Sequence, residues 1–194
     1  MRQPLEDGEI TISRVSASLT YPCSFMLVAA MNPCPCGFFG HPKHPCTCSP
    51  MQSHRYLSRV SGPLLDRFDM HIEVPPVQYE QLTSKLPEED SATIRERVRR
   101  ARARQEARRP TTGVLTNAAL PPEGLRTYCV LSDAASKLLE SAFERLDLSA
   151  RAYDRILKVA RTIADLADSD TVEATHVAEA IQYRSMDRKY WSER

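Results

Sequence analysis

The chain has 194 residues, of which 42% are hydrophobic and 26% are charged, and these proportions are ordinary for a soluble globular protein. This length allows one full hydrophobic core, or one core with a small appended domain. No apolar stretch approaches the ~20 residues that span a bilayer, and the first residues lack the apolar segment of a secretory signal. Composition therefore argues against a membrane-spanning or secreted protein, and we expect a cytoplasmic one.

Positive charge is concentrated in one segment of the chain. The formal net charge is only +1, but residues 91–110 contain eight arginines and two glutamates, which leaves the other 174 residues with a sum of −5. Asymmetry of this kind can indicate a nucleic-acid contact. The alternative is a solvated helix face packed against an acidic neighbour, because arginine is also a good helix former.

The first predicted elements are strands. Alternating apolar and polar residues over 10–14 and 17–22 predict a β-hairpin. The uninterrupted apolar run 25–31 is typical of a strand that is buried on both faces, as in a parallel sheet. A loop rich in cysteine, proline and glycine follows this run and ends at Pro50.

Short helices and one more strand follow the loop. The pattern predicts helices at 52–60 and 63–68, separated by a Ser-Gly-Pro break, and a strand at 70–74 that ends at two prolines. Residues 75–89 are polar and contain three prolines. This composition is typical of a linker.

The remainder of the chain predicts only helices. Apolar residues recur at helical spacing, and serines stand at the capping positions of two of the helices. The predicted helices are 88–108, 132–146, 149–167 and 173–184. The first ~75 residues therefore carry the strands and the last ~105 are helical, a division that suggests two domains.

Three separated fragments carry a resemblance to a known family. The first is the hairpin, followed by the apolar run and Met31-Asn32-Pro33. The second is SGPLLDRFD at 61–69, and the third is LSAR at 148–151, which opens a helix containing VARTIADL at 159–166. In this order, and over nearly the whole chain, they closely resemble the magnesium-chelatase-like AAA+ ATPases of the ComM/YifB type. They resemble the MCM helicases more distantly.

The resemblance implies a fold that is α/β in its first part and all-α in its second. Residues 1–78 would be the C-terminal part of an AAA+ P-loop ATPase core, with the pre-sensor hairpin, core strands and the Cys-rich loop. Residues 79–110 would form a linker and the Arg-rich helix, and residues 111–194 a helical lid domain. In the family a phosphate-binding loop and a magnesium-binding acidic strand precede this region, and the sequence contains no G-x-x-x-x-G-K-[ST]. We therefore expect this chain alone to be inactive and a longer parent protein to hydrolyse ATP with Mg²⁺.

The resemblance assigns roles in ATP hydrolysis to three residues. Asn32 matches sensor 1, where an amide orients the attacking water, although Asn-Pro alone would indicate only a turn. Arg67 matches the arginine finger, which offsets charge on the γ-phosphate held by a neighbouring subunit. The alternatives are a surface pairing of Arg67 with an adjacent aspartate and a finger role for Arg59. Arg151 matches sensor 2, in the first turn of a lid helix, where the helix dipole also favours an anion.

The hairpin corresponds, by the same resemblance, to the pre-sensor-1 hairpin that grips DNA in hexameric helicases of this clade. Its tip carries Arg14 and Ser16. A guanidinium and a hydroxyl suit phosphate contacts without being specific to them.

Four cysteines lie within 15 residues of the loop, in the spacing C-x-C-x₉-C-x-C. They are Cys34, Cys36, Cys46 and Cys48. Four thiolates can close a tetrahedral zinc site, although the usual ribbon spacing is C-x₂-C, and His41 or His44 could replace one thiolate. We expect a structural Zn²⁺, since four thiolates leave no open position for catalysis. Reduced thiols without metal, and disulfides, are the alternatives.

These inferences favour a motor that acts on DNA. The leading hypothesis is a fragment of a ring-forming, hexameric AAA+ ATPase that couples ATP hydrolysis to remodelling or translocation on DNA, with a helicase-like role in competence and recombination. The alternatives are a metal-chelatase-type motor subunit and a zinc-stabilised nucleic-acid-binding module without catalysis. The expected partners are DNA and further copies of the same chain.

Overall fold

The computed structural model describes residues 2–14, 17–77, 79, 83 and 89–184. These residues divide into two compact units, one up to Phe68 and the other from Asp69 to Arg184. The first unit contains a β-hairpin and short helices, and the second contains helices. Within the described residues, no helix is both long enough and apolar enough to cross a lipid bilayer.

The elements of the first unit are short. In chain order they are α1 (Arg2–Glu6), β1 (Glu9–Arg14), β2 (Ala17–Pro22), α2 (Pro50–Leu57) and α3 (Gly62–Leu65). The helices predicted at 52–60 and 63–68 are confirmed as α2 and α3, and each begins and ends a little earlier than the pattern indicates. The sequence pattern does not predict α1.

The early start of α2 has a local cause. The Ser49 Oγ accepts a hydrogen bond from the Gln52 N–H at 3.2 Å, and the Gln52 Oε1 accepts one from the Ser49 N–H at 2.9 Å. This capping box satisfies two backbone donors, and Pro50 in the first helical position has no N–H to satisfy. The helix therefore begins directly after the cysteine loop.

The predicted hairpin is confirmed. Strands β1 and β2 pair antiparallel, with Arg14 opposite Ala17 at the turn end. The hydroxyl groups of Thr11 and Thr20, which also face each other across the strands, are 3.0 Å apart. Such cross-strand pairs stabilise a hairpin whose side chains are mostly exposed.

The two predicted strands outside the hairpin are wrong. The hairpin is the only sheet among the described residues, and neither 25–31 nor 70–74 forms a strand. Met26 is 87% exposed and Val74 is 82% exposed, so neither run is buried. An apolar run becomes a strand only when a second strand satisfies its backbone N–H and C=O groups. In the described part of the chain no strand pairs with either run, so the core strands expected within residues 1–78 are not formed.

The second unit contains six α-helices within its described residues. They are α4 (Ser91–Ala107), α5 (Arg109–Thr112), α6 (Pro122–Tyr128), α7 (Asp133–Arg145), α8 (Ala150–Leu166) and α9 (Ala174–Gln182), with one 3-10 turn at Asn117–Ala119. The four predicted helices are confirmed as α4, α7, α8 and α9. Ser132 and Ser149 cap α7 and α8 through their side chains, as the sequence predicts.

The core of the second unit forms around α8. The buried face of this helix carries Ala152, Ile156, Ala160 and Ala164, which recur at helical spacing. Helices α4, α6 and α9 and the 3-10 turn all contact α8. Small alanine side chains on this face allow the neighbouring helices to approach closely.

A buried ionic network joins α8 to α4. Asp165, which is 1% exposed, accepts hydrogen bonds from Arg108 at 2.5 and 2.8 Å, from Arg161 at 3.1 Å and from Asn117 at 2.8 Å. Arg161 also donates to three backbone carbonyl groups. The hydrogen bond with Asp165 raises the pKa of Arg108. Because each charge has partners, the network tolerates burial and fixes the end of α4 against α8.

Candidate functional site

The cysteine loop brings four sulfur atoms together. The Sγ atoms of Cys34, Cys36 and Cys46 are 3.3–3.6 Å apart, and the Cys48 sulfur accepts the Cys36 N–H at 3.4 Å. All four sulfur atoms lie within 4.8 Å of one another, and no histidine belongs to the group in the described part of the chain. The four cysteines therefore form one cluster in the first unit.

Tight turns at two glycines shape this loop. Gly37 (φ +81°) and Gly40 (φ +76°) lie in the left-handed region, which residues with a side chain adopt only at a cost. The Gly37 N–H donates to the Cys34 carbonyl at 3.0 Å and closes the first turn. His41 Nδ1 accepts two backbone N–H groups of the next turn. This nitrogen therefore stabilises the loop backbone.

The sulfur geometry fits a structural zinc ion. The cysteines are free thiols, contrary to the disulfide alternative, and their sulfur separations of 3.3–3.6 Å far exceed the ~2.05 Å of a disulfide bond. Tetrahedral Zn–S bonds of ~2.3 Å would place the sulfur atoms ~3.8 Å apart, close to these separations. An ion held by four thiolates would stabilise the loop and would have no open position for a reacting water.

Backbone donors in the loop favour a thiolate at Cys36. The Phe38 N–H lowers the pKa of Cys36 to about 5, and the Thr47 N–H adds to this effect. The Cys48 N–H lowers the pKa of Cys46, but burial and hydrogen bonds with neighbouring thiols outweigh it and raise that pKa to about 12. Burial also raises the pKa of Cys48. The loop by itself therefore favours the thiolate form at Cys36, and a metal that binds thiolates would displace protons from Cys46 and Cys48.

Asn32 lies at the entrance to the cysteine loop. A Cβ atom on Gly37 would be 3.8 Å from the Asn32 Nδ2, so the amide lies against the first cysteine turn. Asn32 also lines an open depression of about 390 Å³, together with Ala30, Met31 and Tyr56. The sensor 1 candidate and the cysteine cluster therefore form one contiguous structure.

Arg67 is held within its own unit. Its Nη2 donates to the Glu6 Oε2 at 2.7 Å, and its Nη1 donates to the Pro63 carbonyl. The side chain is 8% exposed. The structure therefore pairs the finger candidate with a carboxylate of α1, a partner that the sequence alone does not indicate.

The other candidate arginines are exposed. Arg151 is the second residue of α8, two positions after the capping Ser149. Arg59, the alternative finger, lies just after α2. Arg14 ends β1 next to the hairpin turn, and Ser16 lies outside the described residues.

The predicted site residues are divided between the two compact units. Asn32 contacts the cysteine loop, Arg67 lies in the same unit, and Arg151 belongs to the second unit. Sequence reasoning missed Glu6, which stands 61 residues from its partner and has no local signal. The tight turns at Gly37 and Gly40, in contrast, are what the glycine- and proline-rich composition of the loop indicates.

The arginines of α4 have different surroundings. Arg104 binds Asp168 at 2.6 Å and also binds Asp170, while Arg97 binds Glu89 at 2.8 Å. For these arginines, the acidic-neighbour alternative from the sequence is correct. The other exposed arginines of the helix are Arg95, Arg99, Arg100 and Arg102.

Models of one protein family match nearly the whole chain. A model described as "Magnesium chelatase, subunit ChlI" matches residues 1–82, and one described as "Magnesium chelatase, subunit ChlI C-terminal" matches residues 88–184. The chain belongs to the magnesium chelatase ChlI family. The resemblance inferred from three sequence fragments is thereby confirmed.

Curated relatives define the type within the ChlI family. The competence protein ComM of Haemophilus influenzae is 46% identical over 189 residues, and the uncharacterized protein YifB of Escherichia coli is 44% identical over 189 residues. An uncharacterized protein of Mycobacterium bovis is 38% identical over 186 residues. These alignments cover 95–97% of the chain but 36% of each relative. The chain is therefore a ChlI-family member of the ComM/YifB type and spans about a third of the length of these relatives.

Proposed function

We propose that the full-length protein is a ring-forming, hexameric AAA+ ATPase that couples ATP hydrolysis to remodelling of DNA or translocation on it. The observation that carries the proposal is the 46% identity to the competence protein ComM over 97% of the chain. Membership of the ChlI family supports an ATPase-type function that uses ATP and Mg²⁺. The groups that hold the nucleotide phosphates and Mg²⁺ would lie in the part of the full-length protein outside this chain.

Asn32 is the proposed sensor 1 residue, whose amide orients the water that attacks the γ-phosphate. Phosphoryl transfer depends mainly on positioning and on charge stabilisation. The amide is suited to positioning because its side chain lies near Gly37, which closes the turn between Cys34 and Gly37 in the cysteine loop. A structural Zn²⁺ on the four cysteines would keep this turn rigid, and small displacements of a positioning group are costly in rate.

Arg67 is the proposed arginine finger, acting on ATP held by a neighbouring subunit. Its guanidinium would offset the charge that develops on the γ-phosphate. In the single chain the Glu6 carboxylate accepts from the Arg67 Nη2, and the Pro63 carbonyl accepts from the Nη1. The proposal therefore requires Arg67 to exchange Glu6 for phosphate oxygens when subunits assemble.

Arg151 is the proposed sensor 2 residue. It lies in the first turn of α8, where the backbone N–H groups and the helix dipole also favour an anion. Because α8 is the central helix of the second unit, a phosphate bound there would couple the position of this unit to the nucleotide state.

The second candidate function is a metal-chelatase-type motor subunit, because both matching family models are described as magnesium chelatase. Such a motor would drive a partner subunit that inserts Mg²⁺ into a porphyrin. A zinc-stabilised nucleic-acid-binding module without catalysis is the remaining alternative, and the exposed arginines of α4 favour it.

The deciding experiment measures the ATPase rate of the full-length protein, wild type and Arg67→Ala, with and without branched DNA. The proposal predicts that DNA stimulates ATP hydrolysis by the wild type and that Arg67→Ala abolishes this stimulated hydrolysis. Hydrolysis that is indifferent to DNA would favour the chelatase-type motor. DNA binding without any hydrolysis or nucleotide dependence would favour the non-catalytic module.

A further inference from the structure

Helix α4 carries a basic surface that packing does not explain. The helix has 17 residues, and Ala101 and Gln105 are the buried ones. Helix α8 packs against α4. Residues 91–100 are all exposed, so the N-terminal part of α4 presents its side chains to solvent.

Three exposed arginines of this helix share one side. Arg95, Arg99 and Arg102 are four and three residues apart, the spacing that aligns side chains along a helix. These three residues form the arginine face. On the helical wheel this face lies on the side opposite Arg104, which binds Asp168.

The charges of α4 leave the arginine face positive. Glu96 is 3.8 Å from Arg99, and both side chains are exposed to solvent, which screens such a pair strongly. Arg102 donates to the neutral Gln105 Oε1 at 3.4 Å. The other acidic residue of the helix is Glu106, near its C-terminal end. The two glutamates therefore do not balance the four positive charges of Arg100 and the arginine face.

We infer that the arginine face binds successive phosphate groups of a nucleic-acid strand, an inference that rests on the DNA partner of the proposed function. Aligned like charges one turn apart repel each other and oppose helix formation. A bound polyanion would offset this repulsion, because its phosphate groups attract the arginines. From Arg95 to Arg102 the helix rises about 10.5 Å, a length of about three nucleotide steps at about 3.4 Å each, so the three arginines can reach phosphate groups within a stretch of about four. Guanidinium groups bind phosphate through paired hydrogen bonds.

The contact would be independent of base sequence. Phosphate contacts position a protein on nucleic acid without reading the bases. Its residues differ from those of the hairpin contact, because Arg14 belongs to the first unit and α4 to the second. A motor that moves along DNA needs contacts of this kind, which are the same at every step.

The test compares two triple variants of the full-length protein with equal loss of charge. One is Arg95→Gln/Arg99→Gln/Arg102→Gln, and glutamine preserves helix propensity. The matched control is Arg126→Gln/Lys137→Gln/Arg145→Gln, which changes three exposed basic residues elsewhere in the second unit. Binding of a fluorescent DNA duplex of arbitrary sequence is measured by anisotropy across a series of salt concentrations, and circular dichroism checks the helix content.

The arginine-face variant is expected to bind at least about tenfold more weakly, and its salt slope should fall by about 0.9 for each phosphate group that it no longer neutralises. The control should stay within about twofold of wild type. Equal affinity and slope in the two variants would overturn the inference. Normal DNA affinity with weakened subunit assembly would overturn it in favour of an acidic surface on another copy.

The outcome is separable from that of the proposed function. If the hydrolysis rate does not depend on DNA but the arginine-face variant binds DNA more weakly, the motor function would be removed and the contact retained. If DNA stimulates hydrolysis and the arginine-face variant binds DNA with wild-type affinity, the motor function would be retained and the proposed contact would be removed.

Discussion

The Arg67 guanidinium donates to the Glu6 carboxylate at 2.7 Å, across 61 residues of chain. The arginine side chain is 8% exposed and the glutamate 31%. An arginine that acts on a neighbouring subunit must leave such a partner or share it. The pair is therefore either a structural ion pair or a resting position of the finger, and the two possibilities predict different kinetics.

Substitution of the two partners should have different consequences for hydrolysis. Arg67→Ala is expected to lower kcat of the assembled full-length protein by about 10³, the scale of an arginine finger. Glu6→Gln should leave kcat within a few-fold of wild type or raise it, because the guanidinium loses its competing carboxylate. ATPase assays on both variants, with thermal unfolding of each, measure these effects.

Arg59→Ala is the matched control, because Arg59 is an exposed arginine of the same unit. It should hydrolyse ATP at nearly the wild-type rate. Equal losses of thermal stability in Arg67→Ala and Glu6→Gln, with hydrolysis intact in both, would make the pair structural. A large loss in Arg59→Ala alone would transfer the finger role to Arg59.

The cysteine cluster predicts about one zinc ion per chain in full-length protein purified under reducing conditions. Cys46→Ser removes one ligand and should lower both the metal content and the thermal stability, since metal binding contributes to folding. Asn32→Ala should keep its zinc and lose hydrolysis, because the amide lies near Gly37 and is not among the four metal-ligand candidates. Elemental analysis and ATPase assays give the two readouts.

Cys23→Ser is the control for this series, because Cys23 is a free cysteine outside the cluster. It should retain the metal. Zinc well below one per chain in the wild type would contradict the metal site. A fully loaded Cys46→Ser variant would exclude Cys46 as a ligand.

Features with local signals were predictable from the sequence. Ser132 and Ser149 mark the starts of α7 and α8, because a cap needs only a side chain and a backbone N–H three residues later. The cysteine loop is also local, since its four sulfur atoms come from 15 residues. Each feature depends on groups that are close in the chain.

Features with distant partners were not predictable. The apolar run 25–31 has the composition of a buried strand, but a strand also needs a paired neighbour, and the described part of the chain provides none. The pairing of Arg67 with Glu6 depends on how α1 packs near α3, which no spacing in the sequence encodes. The same holds for Arg108 and Asn117, the partners of Asp165 that stand 57 and 48 residues away in the chain.

Asp165 should be essential to the stability of the second unit. Asp165→Asn removes the charge that compensates Arg108 and Arg161, and breaking a buried ionic network typically costs about 3–5 kcal/mol of the free energy of unfolding. Urea unfolding followed by circular dichroism measures this cost. Asp168→Asn is the control, because Asp168 binds Arg104 but is 64% exposed, and such pairs contribute about 1 kcal/mol or less. Equal, small losses in both variants would show that the network is not a principal source of stability.

Ionisation of Cys129 should lower the free energy of unfolding at alkaline pH. Its side chain is buried, and its Sγ lies 3.7 Å from the Leu157 carbonyl. Burial raises the pKa of this thiol from 9.0 to about 11, although Arg161 and Arg108 nearby oppose the shift. The unfolded chain therefore releases the thiol proton near pH 9, while the folded chain keeps it to about pH 11. The contribution of the neutral thiol is complete below pH 9 and is lost as the pH rises toward 11.

The free energy of unfolding of the wild type should consequently fall more steeply between pH 9 and 11 than that of Cys129→Ala. Each pH unit in this window corresponds to at most about 1.4 kcal/mol for one proton. Urea unfolding of both proteins at pH 8, 9.5 and 10.5 measures the difference, and the small cavity left by alanine adds a cost that does not depend on pH. A difference between the two proteins that stays constant across the three pH values would show that Cys129 ionises equally in the folded and unfolded chains.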